Sequence, residues 1–154
     1  MKIILYIYII LFLFGCSNLI NTTRNQPSIN LFVNQDKYSL ILKHHFYKNF
    51  KTYNKNLTKY IVQTNLTFNI TNALSNNGNN NLNVVKGTVD FKLFNNSKTK
   101  LITSGSISTS IKTGSSSSLY SIDENNNFAK ERISKYLALK LLRKILLNIN
   151  HSEN

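Results

Sequence analysis

The chain has 154 residues, a formal net charge of +13 and a single cysteine. The length supports one domain with one core, and the lone cysteine excludes an internal disulfide and a cysteine-built metal site. The basic excess predicts an anionic partner, although an AT-rich genome that inflates lysine and asparagine is an alternative cause.

The chain begins with an apolar run from Ile3 to Phe14, preceded only by Met1 and Lys2. At about a dozen residues, this run is shorter than the roughly 20 that span a membrane. Its positive start, apolar middle and small residue at the exit are typical of a secretory signal. The alternative is a short signal anchor that happens to end in a cysteine.

The exit of the run, Leu-Phe-Gly-Cys at 13–16, is similar to the bacterial lipobox. This similarity implies that Cys16 is diacylated and becomes the new N-terminus, with enough acyl carbon to hold a small domain stably on a membrane. We expect a signal peptide at 1–15, a lipidated tether at 16–28 and a domain at 29–150. An exported chain does not meet nucleic acid, so the anionic partner is expected to be phospholipid or lipopolysaccharide.

The domain is predicted to start with a strand and a helix. The strand is indicated by the alternation of Ile29, Leu31 and Val33 with the residues between them. Apolar residues three and four apart predict a helix over 38–50. His44 and His45 lie within that helix. Because adjacent helical residues point in different directions and no carboxylate or cysteine stands at a ligand spacing, no metal site is expected there.

From Tyr60 the apolar residues recur at every second position, which predicts strands over 60–71, 85–93 and 101–112. The short polar connection at 95–99 makes the last two strands a hairpin. The apolar sides of the three strands, which include Leu101 at the start of the third, form one face that needs a cover.

The predicted cover is a C-terminal helix from Phe128 to Ile149, with Asn127 as its N-cap and a stabilising pair between Glu131 and Lys135. Its apolar stripe consists of Ala129, Ile133, Tyr136, Leu137, Leu141, Ile145 and Ile149. The elements together predict an α+β two-layer sandwich, with two helices on one face of a mainly antiparallel four-stranded sheet.

The segment from Gly87 to Ile149 contains a strand hairpin, a serine-rich connection ending in Leu-Tyr-Ser at 119–121, a short acidic stretch, and Ala-Lys-Glu-Arg at 129–132 opening a long helix. In this order it resembles the C-terminal half of the lipopolysaccharide-assembly lipoprotein LptE family. The lipobox, first strand and first helix agree with that family. The resemblance implies a plug and assembly partner for the outer-membrane barrel LptD, which helps deliver lipopolysaccharide to the outer leaflet.

The same resemblance implies a lipid-anchored location in the outer membrane, facing the periplasm, since Ser17 rather than an aspartate follows Cys16. The alternative is a generic lipid-anchored accessory subunit of a transport or envelope complex that binds no glycolipid. The sequence alone leaves both open.

Catalysis is not expected. The only adjacent carboxylates, Asp123 and Glu124, fall in a predicted loop, and the serine run at 115–118 lacks the strand-turn-helix frame of a nucleophile elbow. The sequence also contains no P-loop and no dinucleotide fingerprint, so no cofactor is expected.

Three lysines are the candidate ligand contacts. Lys98 and Lys100 crowd the hairpin tip, and Lys112 stands at the other end of the last strand. A lysine acts toward phosphate as a point charge. The alternative role is solvated protection of a sheet edge.

Overall fold

The computed structural model describes residues 28–50, 59–74, 81–114 and 118–152. The predicted signal peptide, Cys16 and nearly all of the tether lie outside these ranges. None of the helices within them is long and apolar enough to cross a membrane. The elements are β1 (Ile29–Phe32), α1 (Lys37–Asn49), β2 (Tyr60–Leu74), β3 (Asn81–Asn95), β4 (Leu101–Thr113) and α2 (Leu119–Ser152).

The strands form one four-stranded sheet in the order β1-β2-β3-β4. β1 pairs with β2 in parallel, whereas β2–β3 and β3–β4 are antiparallel. α2 packs against β3 and β4, and α1 packs mainly against α2. The predicted α+β two-layer sandwich is therefore confirmed, including the hairpin and the mainly antiparallel sheet.

The core lies between the helices and the apolar face of the sheet, where alternate residues of each strand meet the helical stripes. α2 approaches the sheet closely at Gly87, because a Cβ there would clash with the Cγ2 methyl of Ile133. The largest fully buried side chains are Phe46, Ile29, Leu31, Leu42, Leu93, Ile133, Leu137, Leu141, Ile145, Ile149, Val62 and Val85.

α1 begins one residue earlier than predicted, because Asp36 caps its N-terminus. The Asp36 carboxylate accepts hydrogen bonds from the backbone amides of Tyr38 (3.0 Å) and Ser39 (2.9 Å). Burial raises the pKa of Asp36, but the hydrogen bonds from Ser39 and Tyr38 outweigh it, so the net pKa is lowered. The ionised carboxylate is thus the form that the cap favours.

α2 begins at Leu119, eight residues before the predicted N-cap, so the prediction for Asn127 was wrong. Asp123 and Glu124, predicted in a loop, and the asparagines at 125–127 are therefore helical. Asparagine is typical of loops, but no glycine or proline interrupts this segment, and contacts with other elements stabilise the helix. Asn126 is buried, and the side-chain oxygen of Asn127 accepts a hydrogen bond from the Tyr38 hydroxyl at 2.8 Å.

Two further features of α2 differ from the prediction. Glu131 forms its ion pair with Lys37 of α1, at 2.9 Å. The predicted partner, Lys135, also lowers the pKa of Glu131 through its charge, but its effect is smaller than that of Lys37. Tyr136 is 53% exposed. It lies about 100° around the helix from the buried Leu137, which turns it away from the sheet.

Leu101 also departs from the prediction. The β3–β4 register shifts between Leu93 and Phe94, so that Leu93 pairs with Thr103 and Phe94 pairs with Leu101. Ile102 is then an extra residue, as in a β-bulge, and Leu101 moves to the opposite face from Thr103. Leu101 is accordingly 50% exposed.

β4 lies at one edge of the sheet, with no strand on its outer side among the described residues. α2 runs back along this strand, from Phe128 beside the end of β4 to Lys140 beside its middle. The Lys140 ammonium group donates a hydrogen bond to the backbone carbonyl of Ser108, at 3.4 Å. A lysine at this place covers part of the free edge.

Candidate binding surface on the open face of the sheet

Between the strand ends, the face of the sheet opposite the helices is polar. The end at the hairpin tip is apolar, with Phe32, Ile61, Phe94 and Leu101 on this face. Alternation along three long, paired strands directs amide and hydroxyl side chains to this face, together with a few charges. Its exposed side chains between the strand ends include Gln63, Asn65, Thr67, Asn69, Lys86, Asp90, Lys92, Ser104, Ser106, Ser108 and Ser110.

A shallow depression of about 540 Å³ lies on this open face. It is centred on two rows of the sheet, one in which Gln63, Lys92 and Ser104 are neighbours and one that includes Asp90. Amides, hydroxyls, one ammonium and one carboxylate offer both donors and acceptors to a polar ligand.

The hairpin tip holds Lys98 and Lys100 at one end of the sheet. The Asn95 side-chain oxygen accepts hydrogen bonds from the backbone amides of Thr99 (3.1 Å) and Lys100 (3.2 Å), which fixes the turn. Lys98 has a φ of 55°, in the left-handed region. Its ammonium group lies 4.9 Å from the centre of the Phe32 ring, a cation–π contact that holds Lys98 over β1.

Lys112 lies at the opposite end of β4. At about 3.3 Å per residue, the strand separates it from Lys100 by about 40 Å. A second depression, of about 200 Å³, brings Lys112 close to Arg132 and Phe128 of α2. The structure therefore brings Lys98 and Lys100 together but gives Lys112 a different neighbour, Arg132, which the sequence analysis did not single out.

The two histidines of α1 are in mutual contact, with ring centres 5.4 Å apart in an edge-on arrangement. Burial, followed by the charges of Lys135, His44 and Lys48, lowers the pKa of His45. Within the described ranges, no three His, Cys, Asp or Glu side chains cluster closely enough to hold a metal ion.

No protein-family model and no curated protein sequence matches the chain. Several solved structures do match its fold. A candidate lipoprotein from Caulobacter crescentus is 14% identical with a TM-score of 0.61, over 80% of this chain and 91% of its own. A minor lipoprotein from Acinetobacter baumannii is 14% identical with a TM-score of 0.60, over 79% of this chain and 91% of its own. The rare lipoprotein B from Shewanella oneidensis is 9% identical with a TM-score of 0.58, over 82% of this chain and 99% of its own.

This chain shares their fold. At identities of 9 to 14%, the similarity establishes the arrangement of helices and strands and nothing about ligands. It extends over nearly all of each solved chain, so the described domain corresponds to a whole domain in those proteins.

Proposed function

We propose that this chain is a lipid-anchored outer-membrane protein that partners an LptD-like barrel in lipopolysaccharide assembly. The observation that carries the proposal is the fold, which is shared with the lipoprotein structures above and agrees with the element order that resembles the LptE family. The Leu-Phe-Gly-Cys sequence at 13–16 adds the anchor that such a protein needs.

The open face of the sheet supports a barrel as the partner. The interior of an outer-membrane barrel is polar, so a protein that enters it must present polar groups that hydrogen-bond there. Uncharged amides and hydroxyls, such as those of Asn65, Thr67 and Ser106, lose less solvation free energy on burial than charged groups do. An apolar face would fit a barrel interior poorly.

Co-purification tests the partnership. An affinity-tagged chain should recover a large outer-membrane barrel in stoichiometric amount. Ser106→Arg adds charge and bulk to the open face and should lower that recovery, whereas Asn150→Arg adds the same group on the exposed side of α2 and should not. Recovery with an inner-membrane transporter instead would contradict the proposal and favour the accessory-subunit alternative.

The anchor is tested by Cys16→Ala. If Cys16 is the acyl acceptor, the variant should lose incorporation of radiolabelled palmitate and accumulate as uncleaved precursor. Equal labelling of the variant and the wild type would exclude the lipoprotein assignment.

The lysines need two variants, because the structure separates them. Lys98→Glu with Lys100→Glu reverses the charge at the hairpin tip, and Lys112→Glu reverses it at the far end of β4. Contact with lipopolysaccharide phosphates predicts wild-type binding that weakens as salt rises, and loss of binding in the variant at the contacting end. Wild-type affinity at low salt in both variants would leave only the role in protecting the sheet edge.

A further inference from the structure

The outer face of α2 carries a stripe of residues that does not contribute to the core. Arg132, Tyr136, Leu139, Arg143 and Leu147 follow one another at steps of four, three, four and four, which places them on one side of the helix. All are exposed, Tyr136 by 53%, Leu139 by 36% and Leu147 by 60%. Three large apolar side chains and two arginines thus share one surface that faces solvent.

The charge around this stripe has one sign. Lys135, Lys140 and Lys144 flank it, and the sequence from Arg132 to Ser152 contains no aspartate or glutamate. The preceding residue, Glu131, is already paired with a lysine of α1. The surface therefore complements an anionic surface and repels a second copy of itself.

We propose that the outer face of α2, from Arg132 to Leu147, docks on the anionic phospholipid headgroups of the membrane that holds the N-terminus. Arginines and lysines contact the phosphates, and Tyr136, Leu139 and Leu147 enter the interface between headgroups and acyl chains. A nucleic-acid backbone would satisfy the cations but leave both leucines in water.

The attachment of the domain brings this face within reach of the bilayer. Ile29 follows Cys16 by 13 residues. At up to about 3.5 Å each, these residues span at most about 45 Å. β1 starts at the end of the sheet where β4 also starts, and α2 runs along β4 toward that same end. A short tether therefore holds α2 at a high local concentration near the headgroups.

Docking through α2 orients the whole domain. α2 and the adjoining edge of β4 then lie nearest the bilayer, because Arg132 lines a depression with Lys112 and Lys140 contacts Ser108. This orientation leaves the polar face with Asn65 and Ser106 available to the partner proposed above. Docking itself does not depend on that partner.

Fluorescent labels at single introduced cysteines test the orientation. The full chain carrying Leu139→Cys or Ser106→Cys is labelled and reconstituted into vesicles of phosphatidylethanolamine and phosphatidylglycerol, or of phosphatidylcholine alone. Wild type treated with the same reagent reports any label on Cys16. A quencher attached to the lipid headgroups then measures how closely each label approaches the membrane.

We expect strong quenching at position 139 only in vesicles with phosphatidylglycerol and weaker quenching at position 106. The difference should disappear near 1 M salt, where the Debye length is about 3 Å. Arg132→Glu with Arg143→Glu should lower the docking constant by at least on the order of thirtyfold. Lys86→Glu with Lys92→Glu makes the same change of charge on the open face and should leave docking intact.

Equal quenching at both positions, equal quenching in phosphatidylcholine, or no effect of salt and of the arginine variant would overturn the proposal. Circular dichroism of each variant shows that it is folded, and the salt series on the labelled parent needs no charge variant. Because co-purification with a barrel is measured separately, failure of docking and failure of the proposed partnership are distinguishable.

Discussion

Replacement of Gly87 by alanine tests the packing of α2 on the sheet with a single methyl group. A Cβ at this position would clash with the Cγ2 methyl of Ile133, and would lie 3.0 Å from Cε1 of Phe68 and 3.3 Å from Cδ1 of Leu137. Ile133 and Leu137 are fully buried, so neither can move away into solvent. The methyl group must displace the helix or force these side chains from their rotamers.

Two effects of opposite sign set the magnitude. Overpacking of a filled core destabilises by about 1–3 kcal/mol. Exchange of glycine for alanine reduces the entropy of the unfolded chain, which stabilises by about 0.4–1 kcal/mol. We therefore expect Gly87→Ala to lower the free energy of unfolding by about 1–2 kcal/mol.

Gly114→Ala is the matched control, because nothing lies within 4 Å of a Cβ there. It makes the same change in the unfolded chain and should be neutral or slightly stabilising. Urea denaturation followed by circular dichroism measures both variants. Equal stabilities for the two variants would refute the close approach of α2 at Gly87. Adding Ile133→Ala should make the double variant less destabilised than the sum of its parts.

Three other predictions concern the core, a helix cap and pH. Leu137→Ala, at a fully buried position, should lower the free energy of unfolding by about 2–5 kcal/mol and should lower the melting temperature far more than Lys140→Ala. Similar small effects of both variants would show that Leu137 does not pack in the core. Asp36→Ala should cost about 0.5–2 kcal/mol in urea titrations at pH 7. Because folding lowers the pKa of Asp36, this cost should shrink as pH falls from the unfolded pKa of about 3.9 through the folded pKa. Folding lowers the pKa of His45. Its contribution to the free energy of unfolding is therefore complete above the unfolded pKa of about 6.5 and is lost as pH falls through the folded pKa. Urea midpoints between pH 7.5 and 5 should thus fall more steeply for wild type than for His45→Gln, and parallel curves would contradict this.

The sheet was predictable because a strand displays its own period. Alternation from Tyr60 onward identified three strands, and the polar segment after Asn95 identified their hairpin. The positions of Lys98 and Lys100 at the tip, and of Lys112 at the far end, follow from the same pattern. Each of these features depends on residues that are close in sequence.

The features that sequence reasoning missed depend on partners far along the chain. Asn127 stays helical with a hydrogen bond from Tyr38, which is 89 residues away. Lys37 competes for Glu131 from another helix, which no spacing within α2 reveals. The open-face depression arises from the register of three strands, and the strand patterns alone do not specify how Asp90 and Ser106 become neighbours.

The outer edge of β4, on which no described strand pairs, is expected to affect how the protein behaves at high concentration. Its 13 residues contain a single charge, Lys112 at one end, and the strand is rich in serine, threonine and isoleucine. Such an edge can template pairing with another chain. Lys140, which contacts Ser108, adds one further charge along this edge. Replacement of Lys140 is therefore expected to increase self-association more than it lowers the free energy of unfolding, because an edge exposed in the native state promotes aggregation without any loss of native stability.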